Sequence, residues 1–164
     1  MIAHFGSQGA AARAHEELLA YWASRRTGGS RLPSRGAIHP SHFKRHLPYV
    51  SLIDVRGEPR AYRLRLAGTG LYPVYGREIT GRTLDEIYST SAAEYWRKQL
   101  DEVVERARPN VGVHDFAWRG APHLSVLWLR LPLASNGRDV DMIMGYDAPV
   151  GGSSDRLASG IRAA

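Results

Sequence analysis

Apolar residues fall at helical spacing twice along the chain, and at alternating spacing in the stretches between. Residues 10–26 are rich in helix formers, with Leu18, Leu19 and Trp22 in one apolar stripe and Glu16 and Glu17 beside it. Thr27, Gly28, Gly29 and Ser30 end that helix. A proline-punctuated stretch follows, in which His39 and Pro40 open a short helix and Pro48 lies just past its end. The period then drops to two. "YVSLIDV" (49–55) and "AYRLRLA" (61–67) predict two strands around a turn holding Gly57 and Pro59. In the second, Tyr62, Leu64 and Leu66 alternate with Arg63 and Arg65, as a strand with one wet face does.

After a glycine-rich stretch, "TLDEIY" (83–88) reads as a short helix. A long one begins at Thr90 or Ser91. Its apolar positions Ala93, Trp96, Leu100, Val104 and Ala107 recur at helical spacing until Pro109 and Asn110 close it. Three strands end the pattern: "VGVHDFAWR" (111–119), "HLSVLWLRLPLA" (123–134) and "DVDMIMGYDA" (139–148), the last two joined by a turn at 135–138. The order is helix, strand, strand, short helices, long helix and three strands.

The glycine stretch "GTGLYPVYGREITGR" (68–82) poses a choice between a phosphate-cradling loop and a strand-to-helix hinge. A dinucleotide loop needs a third glycine at a fixed offset, where this chain has Leu71, Tyr72 and Pro73. A Walker loop needs Lys-Ser or Lys-Thr, and none follows Gly76. The hinge remains, with Gly76 and Gly81 expected at positive φ on helix ends.

Composition narrows the function. The 164 residues make one domain, with no apolar run long enough to span a bilayer and no signal-peptide layout at the start, so a cytoplasmic protein is expected. There is no cysteine, which excludes disulfides, thiolate zinc sites and cysteinyl-flavin photochemistry. The net charge of +6 comes almost wholly from arginine, spread along the chain. A specific nucleic-acid site would concentrate that charge on one face among stacking aromatics, so none is expected.

"LPSRGAIHP", "LPYVSLIDV", "YRLRLAGTGLYPVYGREITGRTLDEI" and "RLPLASNGRDVDMIMGY", in that succession, resemble a bacterial PAS-type domain family of short, near single-domain proteins. The resemblance covers about positions 30–148. It implies an α+β fold: a five-stranded antiparallel sheet with helices on one face and an N-terminal helix on the outer side. The expected organisation is an N-terminal extension (1–29), the PAS-like domain (30–150) and a flexible tail (151–164). Since the tail is too short for an output module, signalling is expected to pass through association, in a homodimer or with a partner protein.

Cofactors of such domains leave marks. A haem member supplies a histidine from the helical wall of the pocket, and residues 69–107 hold none; with no cysteine for a flavin adduct, neither haem nor flavin is expected. His39, His42 and His46 have the spacing of one helical face and suit zinc or copper, but no carboxylate lies nearby in sequence, and no metal is expected. His114 and Asp115, adjacent on a strand, point to opposite faces and make no catalytic pair. Asp54, Asp115 and Asp141 are the strand acids considered for the runner-up, a cone-like α+β isomerase or dehydratase, and no catalytic residue is assigned.

In the leucine-rich strand, Ser125, Leu127, Leu129, Leu131 and Leu133 share one row and Val126, Trp128 and Arg130 the other. The first row reads as the core under the helices. The candidate pocket is therefore Tyr72, Tyr75, Trp96, Ser125 and Leu127. Trp128 is then expected on the outer face, joining Leu18, Leu19 and Trp22 in a dimer interface.

Overall fold

The computed structural model describes residues 6–151. Ser7 caps the first helix, α1 (Gln8–Ser24), by accepting from the Ala10 amide, and Gly6 pairs with Val150. The segment from Pro40 to Tyr49 is a 3-10 stretch with Pro48 inside it, and it kinks at Phe43 (φ −138°, ψ 38°). Pro48 therefore sits within this segment, and His39 starts it without a side-chain cap. The strands β1 (Val50–Arg56) and β2 (Ala61–Ala67) lie where alternation places them.

Helices α2 (Leu71–Tyr75), α3 (Leu84–Ile87) and α4 (Thr90–Arg106) follow, then β3 (Asn110–Phe116), β4 (Ala121–Leu133) and β5 (Met142–Gly151). Thr83 and Glu86 form a reciprocal capping box on α3. The buried row of α4 is Ala92, Ala93, Trp96, Leu100 and Val103, with Val104 only partly buried at its edge. The expected flexible tail lies, beyond Gly151, outside the described residues.

The five strands form one antiparallel sheet in the order β2-β1-β5-β4-β3, as the α+β reading implied. β5 and β4 lie in its middle and are covered on both faces. On one face α2, α3 and α4 bury Val126, Trp128 and Ile143 with Trp96 and Leu100. On the other, α1 and the 30–49 segment bury Leu127, Leu129, Leu131 and Leu133 with Leu18, Trp22, Leu32 and Phe43. The N-terminal helix is thus on the outer face, but the two rows of β4 are exchanged relative to the sequence expectation. Both rows are apolar enough to bury, so periodicity alone did not tell them apart.

A bulge separates the two halves of β2. Ile53 faces Leu64 while Leu52 faces Leu66, so one extra residue, Arg65, stands on β2. Leu64 consequently joins the helix side, whereas Leu66 lies over Leu52 on the outer face and stays 47% exposed. The simple alternation of Tyr62, Leu64 and Leu66 ends there.

The glycine stretch is a hinge. Gly76 (φ 74°) caps α2 and Gly81 (φ 81°) turns the chain before α3, both left-handed. Gly68 and Gly70 serve close approach instead. Their amides donate to Val50 O and Pro48 O at 2.8 Å each, and a Cβ on Gly68 would lie 2.3 Å from Leu47 O. Amides spent on the protein's own carbonyls do not cradle a phosphate.

Candidate functional site

Between the helices and the inner face of the sheet sits a polar cluster in an otherwise apolar core. Arg130 on β4 donates through Nη1 to Asp147 Oδ1 on β5 at 2.6 Å, with each side chain 3% exposed. Gly145 lies opposite Arg130 in the register, and a Cβ there would meet the guanidinium at 3.1 Å. That missing side chain gives the guanidinium room beside β5 as it reaches Asp147. Trp96 on α4 lies over the guanidinium at 4.6 Å, a cation–π contact.

Tyr75 at the end of α2 donates to Asp147 Oδ2 at 2.8 Å, and Tyr88, just past α3, donates to Tyr75 Oη at 3.0 Å. Burial, and then the charge of Asp147, push both phenols above the ordinary tyrosine range, so both stay protonated donors. The cluster encloses a cavity of about 10 Å³ lined by Ser51, Tyr75, Tyr88, Trp96, Arg130 and Asp147 among apolar neighbours. Two buried donors of that lining, Arg130 Nε and Trp96 Nε1, have no acceptor. Such a volume admits about one water-sized group.

The structure separates the candidate pocket residues. Tyr75 and Trp96 do meet at this cluster. Tyr72, one residue off the buried face of α2, is 54% exposed. Ser125 and Leu127 lie in the opposite row of β4, where Leu127 packs in the α1-side core. The proposed interface residues are likewise redistributed. Leu18 (1% exposed) and Trp22 (6%) pack on their own sheet, and Trp22 Nε1 donates to Pro132 O at 2.8 Å; only Leu19 is open. Trp128 faces the helices, where its Nε1 donates to Tyr95 Oη at 3.0 Å and its ring lies over Gly112. The row carrying polar handles turned towards the side that offered partners for them.

Asp147 is the strand acid that sequence reasoning passed over. Of those considered, Asp54 is paired with Arg65 and Arg56, Asp115 accepts from the Ala117 amide, and Asp141 accepts from Ser135 ahead of β5. The available signal was Arg130 and Asp147, each a lone charge within an apolar strand. Neither residue alone shows that the two meet. The Asp147 carboxylate is held by Arg130 and Tyr75.

The histidines do not form one face. The kink at Phe43 breaks the helical spacing; His42 Nδ1 sits 3.2 Å from Tyr21 Oη, and His46 Nε2 lies 2.8 Å from Glu17, an acid brought in by α1. Among the described residues no three His, Asp or Glu side chains are grouped to hold a metal ion. His114 stacks on Tyr95 with ring centroids 4.4 Å apart. No helix among the described residues is long and apolar enough to cross a membrane.

Two solved structures resemble this chain at low identity. The PAS domain of a Colwellia psychrerythraea protein is similar over 68% of this chain and 96% of its own, at 10% identity and TM-score 0.49. An RNA-binding light-oxygen-voltage receptor matches over 81% of this chain but only 38% of its own, at 15% identity and TM-score 0.49. No curated protein matches. A PAS domain family model matches residues 10–147, nearly the whole described chain. The match takes in α1 from Ala10, strands β1 to β4, and β5 as far as Asp147, and with them the polar cluster, and the chain belongs to the PAS domain family.

Proposed function

We propose that this PAS domain is a non-catalytic sensory module that takes a small hydrogen-bond-accepting ligand beside Arg130 and Trp96. The observation carrying this reading is a buried ion pair beside a cavity lined by Arg130 and Trp96, whose Nε and Nε1 are buried without acceptors. Apolar residues of equal volume would fill such a core at no loss of stability, so a retained ion pair with open donors favours recognition over packing. An anion such as nitrate, formate or acetate supplies those acceptors.

The output follows from the walls. Tyr75 ends a helix of five residues and Tyr88 follows one of four, with the left-handed glycines Gly76 and Gly81 between them. A ligand larger than water enters by shifting these helices, which alters the surface offered to a partner protein or a second copy. No haem, flavin, metal or specific nucleic acid is part of this reading.

The test uses tryptophan fluorescence, since Trp96 and Trp128 flank the guanidinium at 4.6 and 5.6 Å. Nitrate, formate and acetate are titrated against chloride at equal ionic strength. A saturable change, lost in the folded double variant Arg130→Met/Asp147→Leu, supports the reading. Responses identical to chloride, or unchanged in the double variant, overturn it. Native mass spectrometry of freshly purified protein identifies any ligand already retained.

A further inference from the structure

We infer that the outer face of β1 and β2 is a docking groove for an acidic amphipathic helix of a partner protein. Helix α1 covers β4 and β5 on this face, and the 3-10 segment covers the flank of β5. Among the described residues no helix lies on this face of the β1–β2 pair beyond them. What remains is a groove of about 480 Å³ with Leu52, Leu66 and Met144 in its floor and Ile38, Phe43 and Leu47 in its wall. Leu66 is there because of the bulge at Arg65, and it is among the most exposed large apolar side chains described. A helix laid here would continue the outer layer begun by α1.

Charge selects the partner. The groove lining holds Arg35 and Lys44 and no carboxylate, and neither cation has a carboxylate partner among the described residues. Farther along the same face the one acid, Asp54, is already held by Arg65 at 2.8 Å and Arg56 at 3.3 Å, and Arg63 stands opposite it. An apolar groove whose lining carries two cations and no carboxylate is complementary to a helix with leucines at i, i+3, i+4 and i+7 and glutamates on its flanks. This surface lies on the opposite side of the sheet from Arg130 and Trp96, so the two sites are separable.

The experiment uses fluorescein-labelled helical peptides of about 18 residues, one with Glu and one with Lys on the flanks of the same leucine face. Anisotropy titrations are run with the full chain at low and physiological salt. The expected result is that the Glu peptide binds at least about tenfold tighter than the Lys peptide and weakens with salt. Leu66→Glu, at an exposed position, is expected to weaken it about tenfold more, and Arg35→Glu/Lys44→Glu to reverse the charge preference. Amide-exchange protection is expected within residues 38–52 and 66–69.

Equal binding of both peptides, no binding, or protection elsewhere overturns the proposal. So does Leu66→Glu abolishing self-association of the protein, which would make a second copy the occupant. Occupancy by dodecanoate with neither peptide bound overturns it too. The Arg130→Met/Asp147→Leu variant is expected to keep peptide binding while losing its response to small anions, so failure at either site is read separately.

Discussion

Arg130 and Asp147 meet across two neighbouring strands at 2.6 Å, although Asp147 is registered against Trp128 and Arg130 against Gly145. The contact is diagonal, and Gly145 leaves space for it. Removing one partner strands a charge in the core. Arg130→Leu and Asp147→Asn are each expected to cost about 3–5 kcal/mol, whereas Arg130→Met/Asp147→Leu recovers most of that loss. Urea denaturation followed by circular dichroism measures all three. A double variant no more stable than the single ones would mean that the network, not the pair, holds this region.

The glycines divide into two kinds with different costs. At Gly81 nothing lies within 4 Å of an added Cβ, so Gly81→Ala is expected to cost only the left-handed backbone penalty, about 1–2 kcal/mol. At Gly68 the added atom meets two backbone carbonyls at 2.3 and 2.4 Å, which do not swing aside. Gly68→Ala is expected to cost more than Gly81→Ala and to loosen the 3-10 segment from β2. Melting temperatures in the reverse order would refute the close-approach account.

The α1 stripe is expected to behave as core. Trp22→Ala removes a 6%-exposed indole and its bond to Pro132 O, at a cost of about 3–5 kcal/mol. Leu19→Asp, at 39% exposure, is expected to stay within about 0.5 kcal/mol of the parent. Thermal melts of the two variants decide it, and equal effects would contradict the burial described.

Acid sensitivity should arise from two histidines. Burial holds His15 and His114 below the ordinary value of 6.5, so both are neutral in the folded protein while the unfolded chain takes up protons near that value. Stability is therefore complete above about pH 6.5 and falls as pH drops below it. The carboxylates with lowered values, Glu17, Glu78 and Glu86, act only below their ordinary 4.5, which separates the two effects. Melting temperature is expected to fall from about pH 7 to about pH 5, and His15→Gln/His114→Phe to flatten that slope. An unchanged slope in the double variant would assign it elsewhere.

The element order was legible because its signals are local. The 3.6-residue period of α4, the two-residue period of β1 and β2, the turn chemistry at 56–60 and the failed phosphate-loop spacing each need only neighbouring residues. Those signals also carried the resemblance to the family. The candidate site is half legible: the sequence points to Tyr75 and Trp96, but its alternation sets Ser125 and Leu127 beside them and Trp128 on the outer face. Both rows of β4 are apolar, and a strand buried on two sides gives its sequence no inward direction. Only the sheet order, with β4 and β5 central and helices on both faces, assigned Trp128 to Tyr95 and Leu127 to α1. The same holds for Arg130 and Asp147. Each is a single charge in an apolar strand, and strand register together with the small side of Gly145 brought them together, because cross-strand pairing is fixed between distant segments and not within either one.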